Sequence, residues 1–380
     1  MAPYLQEPLL PVPRAHPSKK PTILKPSSPV LDSPRPLAWT RDSFSDISNY
    51  TYVLTESEIH EINQGLASFK RSGLDGSEIN QTNFPLRTLG KVLQDLARDL
   101  HEGKGFFVLR GLNPNVYTVE DNTIIFLGVS SFIGGLLGRQ TDDGRVFGHV
   151  CDAGYQSVSQ ENRPLRYSNR GSTFHNDLYC DIIAMQARSC AEIGGSHLIA
   201  SASTVYEELV STQPELAAAL LRPNWPLDLR RRFAATEVRP IFFHHERRLL
   251  SSVLPDALIG FEDIERQPGL ATLSPIQQDA HKALQSLCQK HSISLPMQPG
   301  DLSFVNNFAI LHAREAFCDS PAHKRYLVRL WLKNETLAWK LPEALQNGNQ
   351  AVFNDETLQS EWNIVPEPRF RFQLYERQSP

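Results

Sequence analysis

Apolar residues recur at helical spacing in two stretches near the start of the folded region. Ile59, Ile62, Leu66 and Phe69 line one face of a helix that the capping box Thr55-Glu56-Ser57-Glu58 opens. After a polar loop over Gly73–Gln81, Leu86, Leu89, Val92, Leu93, Leu96 and Leu100 predict a second amphipathic helix. The run Gly105-Phe106-Phe107-Val108-Leu109-Arg110-Gly111-Leu112 is apolar on consecutive positions and bracketed by glycines, which predicts a buried strand. Thr118-Val119-Glu120-Asp121 caps a third helix expected to run to about Leu137, with Gly134-Gly135 as a close-packing point.

Beyond this point short strands dominate. They are predicted around His175, over Ile182–Cys190, at Leu198–Ser201, Ile293–Met297, Leu302–Asn306 and Arg325–Leu332. Helices interrupt them: one capped by Thr204 with Glu207, one opened by Pro214, and one from Ser274-Pro275 with Ile276, Ala280, Ala283, Leu284 and Leu287 on one face. Helices early and strands later predict a mainly β protein with flanking helices around a double-stranded β-helix, or jelly roll. Residues 138–165 and 222–273 read as lid-like insertions in a single domain over 41–380. Ten of the 27 prolines fall within residues 1–39, so residues 1–40 read as a proline-rich arm rather than core.

With 380 residues, of which 41% are hydrophobic, the chain has material for a sizeable core. A formal charge of −4 and no long Lys/Arg run give no reason to expect nucleic acid as a partner. The start carries no basic leader followed by an apolar core, and no stretch has the roughly 18 apolar residues that span a bilayer. Five scattered cysteines, Cys151, Cys180, Cys190, Cys288 and Cys318, read as reduced thiols of a cytoplasmic protein.

The chemistry centres on Ser172-Thr173-Phe174-His175-Asn176-Asp177. Alternate side chains of an extended strand share a face, so His175 and Asp177 can reach one ion while Asn176 points away. His312, in Leu311-His312-Ala313-Arg314, is the expected third ligand, because a jelly roll brings distant strands to one mouth. Two histidines and one carboxylate leave positions open on the metal, an arrangement that suits non-haem Fe(II) oxygenases and also zinc enzymes. A second His-x-acid match, His244-His245-Glu246, lies between apolar runs and reads as a solvated hairpin tip. Cys180 lies near the proposed site and reads as a small buried hydrophobe.

In Arg325-Tyr326-Leu327-Val328-Arg329-Leu330-Trp331-Leu332, one face carries Arg325, Leu327, Arg329 and Trp331. Those arginines sit either on a solvated outer face or in a cavity, where a buried guanidinium needs an anion and can clasp a carboxylate with two parallel hydrogen bonds. A metal and a carboxylate clamp facing one cavity suggest a keto-acid cosubstrate.

The set Phe174-His175-x-Asp177, Gly194-Gly195, Tyr206-Glu207-x-Leu209, Pro299-Gly300-Asp301, Asn307, Leu311-His312-Ala313-Arg314 and Arg325-x-x-x-Arg329 resembles the taurine dioxygenase-like (TauD/TfdA) oxygenases of the clavaminate synthase-like superfamily, fungal members above all. The resemblance covers about residues 100–335. It implies Fe(II) held by His175, Asp177 and His312, with 2-oxoglutarate as cosubstrate and O2 as oxidant. Arg325 would bind the distal carboxylate of 2-oxoglutarate. The family usually has a threonine where this chain has His197, whose imidazole can still donate a hydrogen bond to the cosubstrate. Arg329 matches an arginine that holds the substrate's sulfonate in taurine dioxygenase; here it would bind an acidic substrate or support the cosubstrate. Asn307 reads as a hydrogen-bonding support for the ligands. The implied reaction is oxidation of a C–H bond of a small, anionic molecule, ending in hydroxylation, desaturation or cyclisation. It would serve sulfonate, amino-acid or specialised metabolism. Three other readings compete: a zinc-dependent hydrolase, a jelly-roll protein that binds metal without catalysis, and a protein or histone hydroxylase.

Overall fold

Two sheets face each other across the site in the computed structural model, which describes residues 35–152, 165–229, 236–260 and 266–366. The proline-rich arm read over residues 1–40 lies outside the described residues except for its end, where Leu37 and Trp39 are buried. Described strands of the larger sheet run in the order Thr51–Val53, Phe106–Arg110, Leu302–Asn306, Ile182–Ser189, Tyr326–Lys333 and Leu136–Gly138. Gly148–Cys151 also pairs with Tyr326–Lys333. The smaller sheet runs Ile293–Leu295, His197–Ser201, Ile310–Arg314, Ser172–His175 and is antiparallel throughout. This is the expected mainly β, jelly-roll core with flanking helices. Its two sheets do not close into a barrel.

Period-2 alternation explains how the central strands serve two layers at once. In Tyr326–Lys333, Val328, Leu330 and Leu332 join the core under the helices, whereas Arg329 and Trp331 turn toward the smaller sheet. Helices Glu56–Ser72, Leu89–Glu102 and Val119–Ser131 cover the outer face, contributing Phe69, Leu93 and Ile125 beside Phe107 and Phe304 of the sheet. The capping box at Thr55 forms as predicted, with Glu58 accepting from Thr55 N at 2.8 Å. Pro275–His291 backs the smaller sheet. Its Gln285 accepts from Phe174 N at 2.9 Å and donates to Phe174 O at 2.8 Å, so a glutamine satisfies the strand that carries His175.

Several elements differ from the sequence reading. The third helix ends at Ser131 rather than near Leu137, because the chain is drawn into the sheet, where Leu136–Gly138 pairs with Trp331–Lys333. Gly134 is the close-packing glycine: a Cβ there would stand 3.1 Å from Leu332 Cβ, while Gly135 faces open space. Ser201, not Thr204, caps helix Ala202–Thr212; its hydroxyl accepts from Thr204 N at 3.1 Å. Segments read as loops also hold strands, Gly148–Cys151 in one and the ribbon Trp225–Asp228 with Thr236–Arg239 in the other, where Trp225 is fully buried.

His244-His245-Glu246 forms a hairpin tip as read. Strands Phe242–His245 and Arg248–Ser251 meet at Glu246 and Arg247, whose φ of +48° and +63° are those of a tight two-residue hairpin turn.

Phe304 stacks on Phe107 at 4.8 Å in the middle of the core and has no exposed surface. Phe304→Ala is expected to cost about 3–5 kcal/mol. Urea unfolding should register this as a lower midpoint with unchanged slope.

Candidate active site

His175 ends its strand and pairs directly across the ladder with His312, so the two imidazoles project from the same face with ring centroids 4.2 Å apart. The chain then leaves the smaller sheet, and Asp177 comes in from one side. Its Oδ1 lies 3.8 Å from His312 Nε2 and 4.0 Å from His175 Nε2. Among the described residues this is the one group of three His, Cys, Asp or Glu side chains that can share an ion, all ligand atoms falling within 4.8 Å. Ligands about 2.1 Å from an ion and at right angles stand about 3 Å apart, so the group needs to draw in by about 1–2 Å. Burial, followed by His175, His197 and Arg329, holds the His312 pKa well below its usual value, leaving a neutral ring with a lone pair to give. His175 Nδ1 faces Thr173 O at 2.8 Å, which fixes the ring and directs Nε2 to the site.

Asp177 is held from both ends. Asn307 takes its backbone: Asp177 N donates to Asn307 Oδ1 and Asn307 Nδ2 donates to Asp177 O, both at 2.8 Å. The facing sheet takes its carboxylate, with Trp331 Nε1 donating to Oδ2 at 2.7 Å and Arg329 Nη1 lying 2.9 Å from Oδ2 and 3.1 Å from Oδ1. Gln140 orients Arg329 in turn, accepting from its Nε at 2.7 Å. Asn176 points away, as the strand period predicts. It donates to Asn307 O and Ile310 O and accepts from Val253 N at 2.8 Å.

A second polar pocket adjoins the three ligands. Arg325 is buried, its Nε donates to Gly195 O at 3.0 Å, and its Nη1 is a buried donor with no partner among the described residues. Gly195 has φ +76°, and a Cβ there would stand 2.7 Å from Arg325 Cδ, so the arginine passes where only glycine leaves room. Phe317 floors the guanidinium at 5.4 Å. His197 stands edge-on to His312, 5.6 Å between centroids, and neither ring nitrogen has a partner among the described residues. Burial and then Arg325 push its pKa down to about 3, so the ring is neutral, with one donor and one acceptor. Orphaned donors of a buried guanidinium and imidazole, next to a His-Asp-His group, fit an anionic oxygen ligand that also reaches a metal. The residues therefore fit Fe(II) with 2-oxoglutarate.

All six residues singled out from sequence, His175, Asp177, His312, Arg325, His197 and Arg329, lie at this one site. Arg329 turns to Asp177 rather than into open space. Sequence reasoning missed Gln140 and gave Trp331 no role, although the alternation that put Arg329 inside put Trp331 there too. Arg314, beside His312, has a scaffolding position: its guanidinium donates to Leu165 O, Ser168 O and Arg170 O. Cys180 is buried and donates to Ile182 O at 3.0 Å, outside the ligand group. All five cysteines are free thiols. No helix among the described residues is long and apolar enough to cross a membrane.

Comparison with known proteins agrees with this geometry. The family model "Taurine catabolism dioxygenase TauD, TfdA family" matches residues 69–331. The taurine hydroxylase-like protein SAT17 of Stachybotrys chartarum is 31% identical over 341 residues, covering 87% of this chain and 88% of that one. FR-33289 synthase of Streptomyces rubellomurinus is 26% identical over 312 residues, covering 78% and 89%. Among solved structures, asparagine oxygenase with Fe(II), 3-hydroxyasparagine and succinate superposes with a TM-score of 0.59 at 16% identity, covering 75% of this chain and 93% of that one. The non-heme iron oxygenase OrfP with Fe and alpha-ketoglutaric acid gives 0.56 at 15%, covering 75% and 94%. These matches set aside the hydrolase and non-catalytic readings. The chain belongs to the TauD, TfdA family and is an Fe(II)- and 2-oxoglutarate-dependent dioxygenase.

Proposed function

We propose that His175, Asp177 and His312 bind Fe(II), that Arg325 grips the distal carboxylate of 2-oxoglutarate, and that His197 donates to the same cosubstrate. The observation that carries this reading is the buried, unpartnered Nη1 of Arg325 beside the His-Asp-His group. Bound Fe(II) with 2-oxoglutarate and O2 supplies an oxidant for a C–H bond as the cosubstrate becomes succinate and CO2. The chain's own residues do the rest. Arg325 and His197 fix the cosubstrate's orientation, and Asn307, Arg329 and Trp331 hold Asp177 so that its ligand oxygen need not reorganise. Arg329, committed to Asp177 and Gln140, supports the carboxylate instead of serving as the main substrate anchor.

For the substrate we propose a small anionic molecule of specialised metabolism. Arg166, on the turn Leu165–Tyr167, has a buried Nε with no partner among the described residues and lies over the Tyr167 ring at 4.8 Å. Burial lowers its pKa, and nearby Arg329 and Arg145 add to the effect, so it brings positive potential that an anion would relieve. FR-33289 synthase and the taurine hydroxylase-like relative are named for small molecules. Five free thiols suit a reducing cytoplasm.

Anaerobic addition of Fe(II) and 2-oxoglutarate should raise a weak visible metal-to-ligand band, and His175→Ala should remove it. A band that survives the substitution would take His175 out of the ligand set. Arg325→Ala should raise the 2-oxoglutarate concentration for half-maximal turnover by about 10- to 100-fold, the scale of a lost charge-assisted hydrogen bond. Gly195→Ala should act in the same direction by displacing the guanidinium. Succinate release with Fe(II) and ascorbate, measured across sulfonates, phosphonates and amino acids, should select an anionic substrate. Arg166→Ala should then raise the KM for that compound and leave the KM for 2-oxoglutarate within about twofold; a neutral substrate, or no change on substitution, would overturn the anion reading.

A further inference from the structure

Between Asp177 and the strand Ile182–Ser189 the chain turns through Tyr179, whose φ is +58°. A bulky residue in the left-handed region is unfavourable unless its surroundings hold it there. Tyr179 is almost completely buried, and the holding groups come from far along the chain. Asn349, on the helix Glu343–Phe353, donates from Nδ2 to Tyr179 O at 2.8 Å and to Asp181 Oδ2 at 2.5 Å. Its Oδ1 accepts from Lys333, the last residue of the strand that carries Arg329 and Trp331. The preceding residue is Gly348, where a Cβ would stand 2.2 Å from the Tyr179 ring, so the helix seats on the ring only because that side chain is missing. At the other end the Tyr179 hydroxyl donates to Glu237, which pairs with Arg239 at 2.9 Å.

The turn connects directly to the carboxylate. Asn307 N donates to Asp181 O at 2.9 Å, and Asn307 Nδ2 donates to both Asp177 O and Cys180 O. One asparagine thus holds the inner side of the turn and another the outer side. The family match ends at residue 331, so this second hold comes from sequence beyond it.

We propose that Gly348 and Asn349 are positioning residues for the metal site: the C-terminal helix locks the left-handed Tyr179 turn and thereby presents Asp177 to the ion. The inference rests on the assignment of His175, Asp177 and His312 as ligands. Because supporting partners of ligands set metal affinity, loosening the turn should be felt in Fe(II) binding before it is felt at the cosubstrate pocket. Coupling also runs the other way: bound metal should protect the Glu343–Phe353 helix from local opening.

The test uses the full chain under anaerobic conditions, with Fe(II) affinity read by competition against a chromogenic chelator and helix opening read by amide exchange with and without Fe(II). Asn349→Ala and Gly348→Ala should weaken Fe(II) binding by about tenfold or more, with a smaller change in the 2-oxoglutarate concentration that saturates the visible band. Ile62→Ala, in a helix on the far side of the larger sheet, serves as a control: it should lower the melting temperature without changing Fe(II) affinity. If Asn349→Ala melts lower yet binds Fe(II) like the parent, the residue only stabilises the fold and the inference fails. His175→Ala separates the two failures. If it retains parental Fe(II) affinity the ligand assignment is wrong, whereas loss in His175→Ala alone leaves that assignment standing and removes the role of the helix.

Discussion

The Asp177 carboxylate is the joint on which the structure depends. It belongs to neither sheet: its backbone is fixed by Asn307 from the loop before the His312 strand, and its oxygens are fixed by Arg329 and Trp331 from the opposite sheet. Burying a carboxylate is costly unless its oxygens find such partners. Here it meets a guanidinium and an indole N–H at 2.9 and 2.7 Å, which fix the direction of its oxygens. Those donors alternate along their strand with Val328, Leu330 and Leu332, which are packed beneath the helices. The strand cannot slip by one residue without exposing that core and withdrawing both donors, so the packing of the outer layer enforces the geometry of the inner one.

Four buried or half-buried arginines of the fold do different work, and their partners separate them. Arg110 is matched by Asp301 at 2.7 Å, Arg329 by Asp177, and Arg314 by three backbone carbonyls. Arg325 alone of the four keeps a buried nitrogen bare. A guanidinium whose donors are taken up by the fold is architecture, whereas the bare donor of Arg325 lies beside His175, Asp177 and His312.

Much of this was legible in the chain because it follows from short-range rules. Alternation put His175 and Asp177 on one side and Asn176 on the other, and gathered Arg325, Arg329 and Trp331 on one face. Apolar runs on either side of the charged His244-His245-Glu246 segment identified a hairpin tip, which the structure centres on Glu246 and Arg247. The end of the third helix was missed because pairing of Leu136–Gly138 with the sheet outweighs local helical pattern. The Ser201 cap was missed because Thr204-x-x-Glu207 presents the same signature three residues later. That Arg329 pairs with the Asp177 carboxylate is a contact between residues 152 positions apart, which periodicity does not carry. Tyr179 and Asn349 left no local trace at all, since their contact spans 170 positions and depends on an absent side chain at Gly348.

His197 stands where the family resemblance read from the sequence implies a threonine, and its situation explains how the pocket accommodates an imidazole. Kept neutral by burial and by Arg325, it adds no charge beside the three ligands and still offers one donor and one acceptor. Both nitrogens lack partners among the described residues, as does Arg325 Nη1. A buried polar group left unsatisfied costs about 1–3 kcal/mol. Neighbouring side chains bearing that cost together form a surface that only a polar occupant relieves, and nearby Asn307, Asn176 and Gln140 are each bonded to the fold and cannot turn to satisfy it. The fold thus spends its own polar groups on holding the ligands still and leaves bare those that an incoming carboxylate would meet.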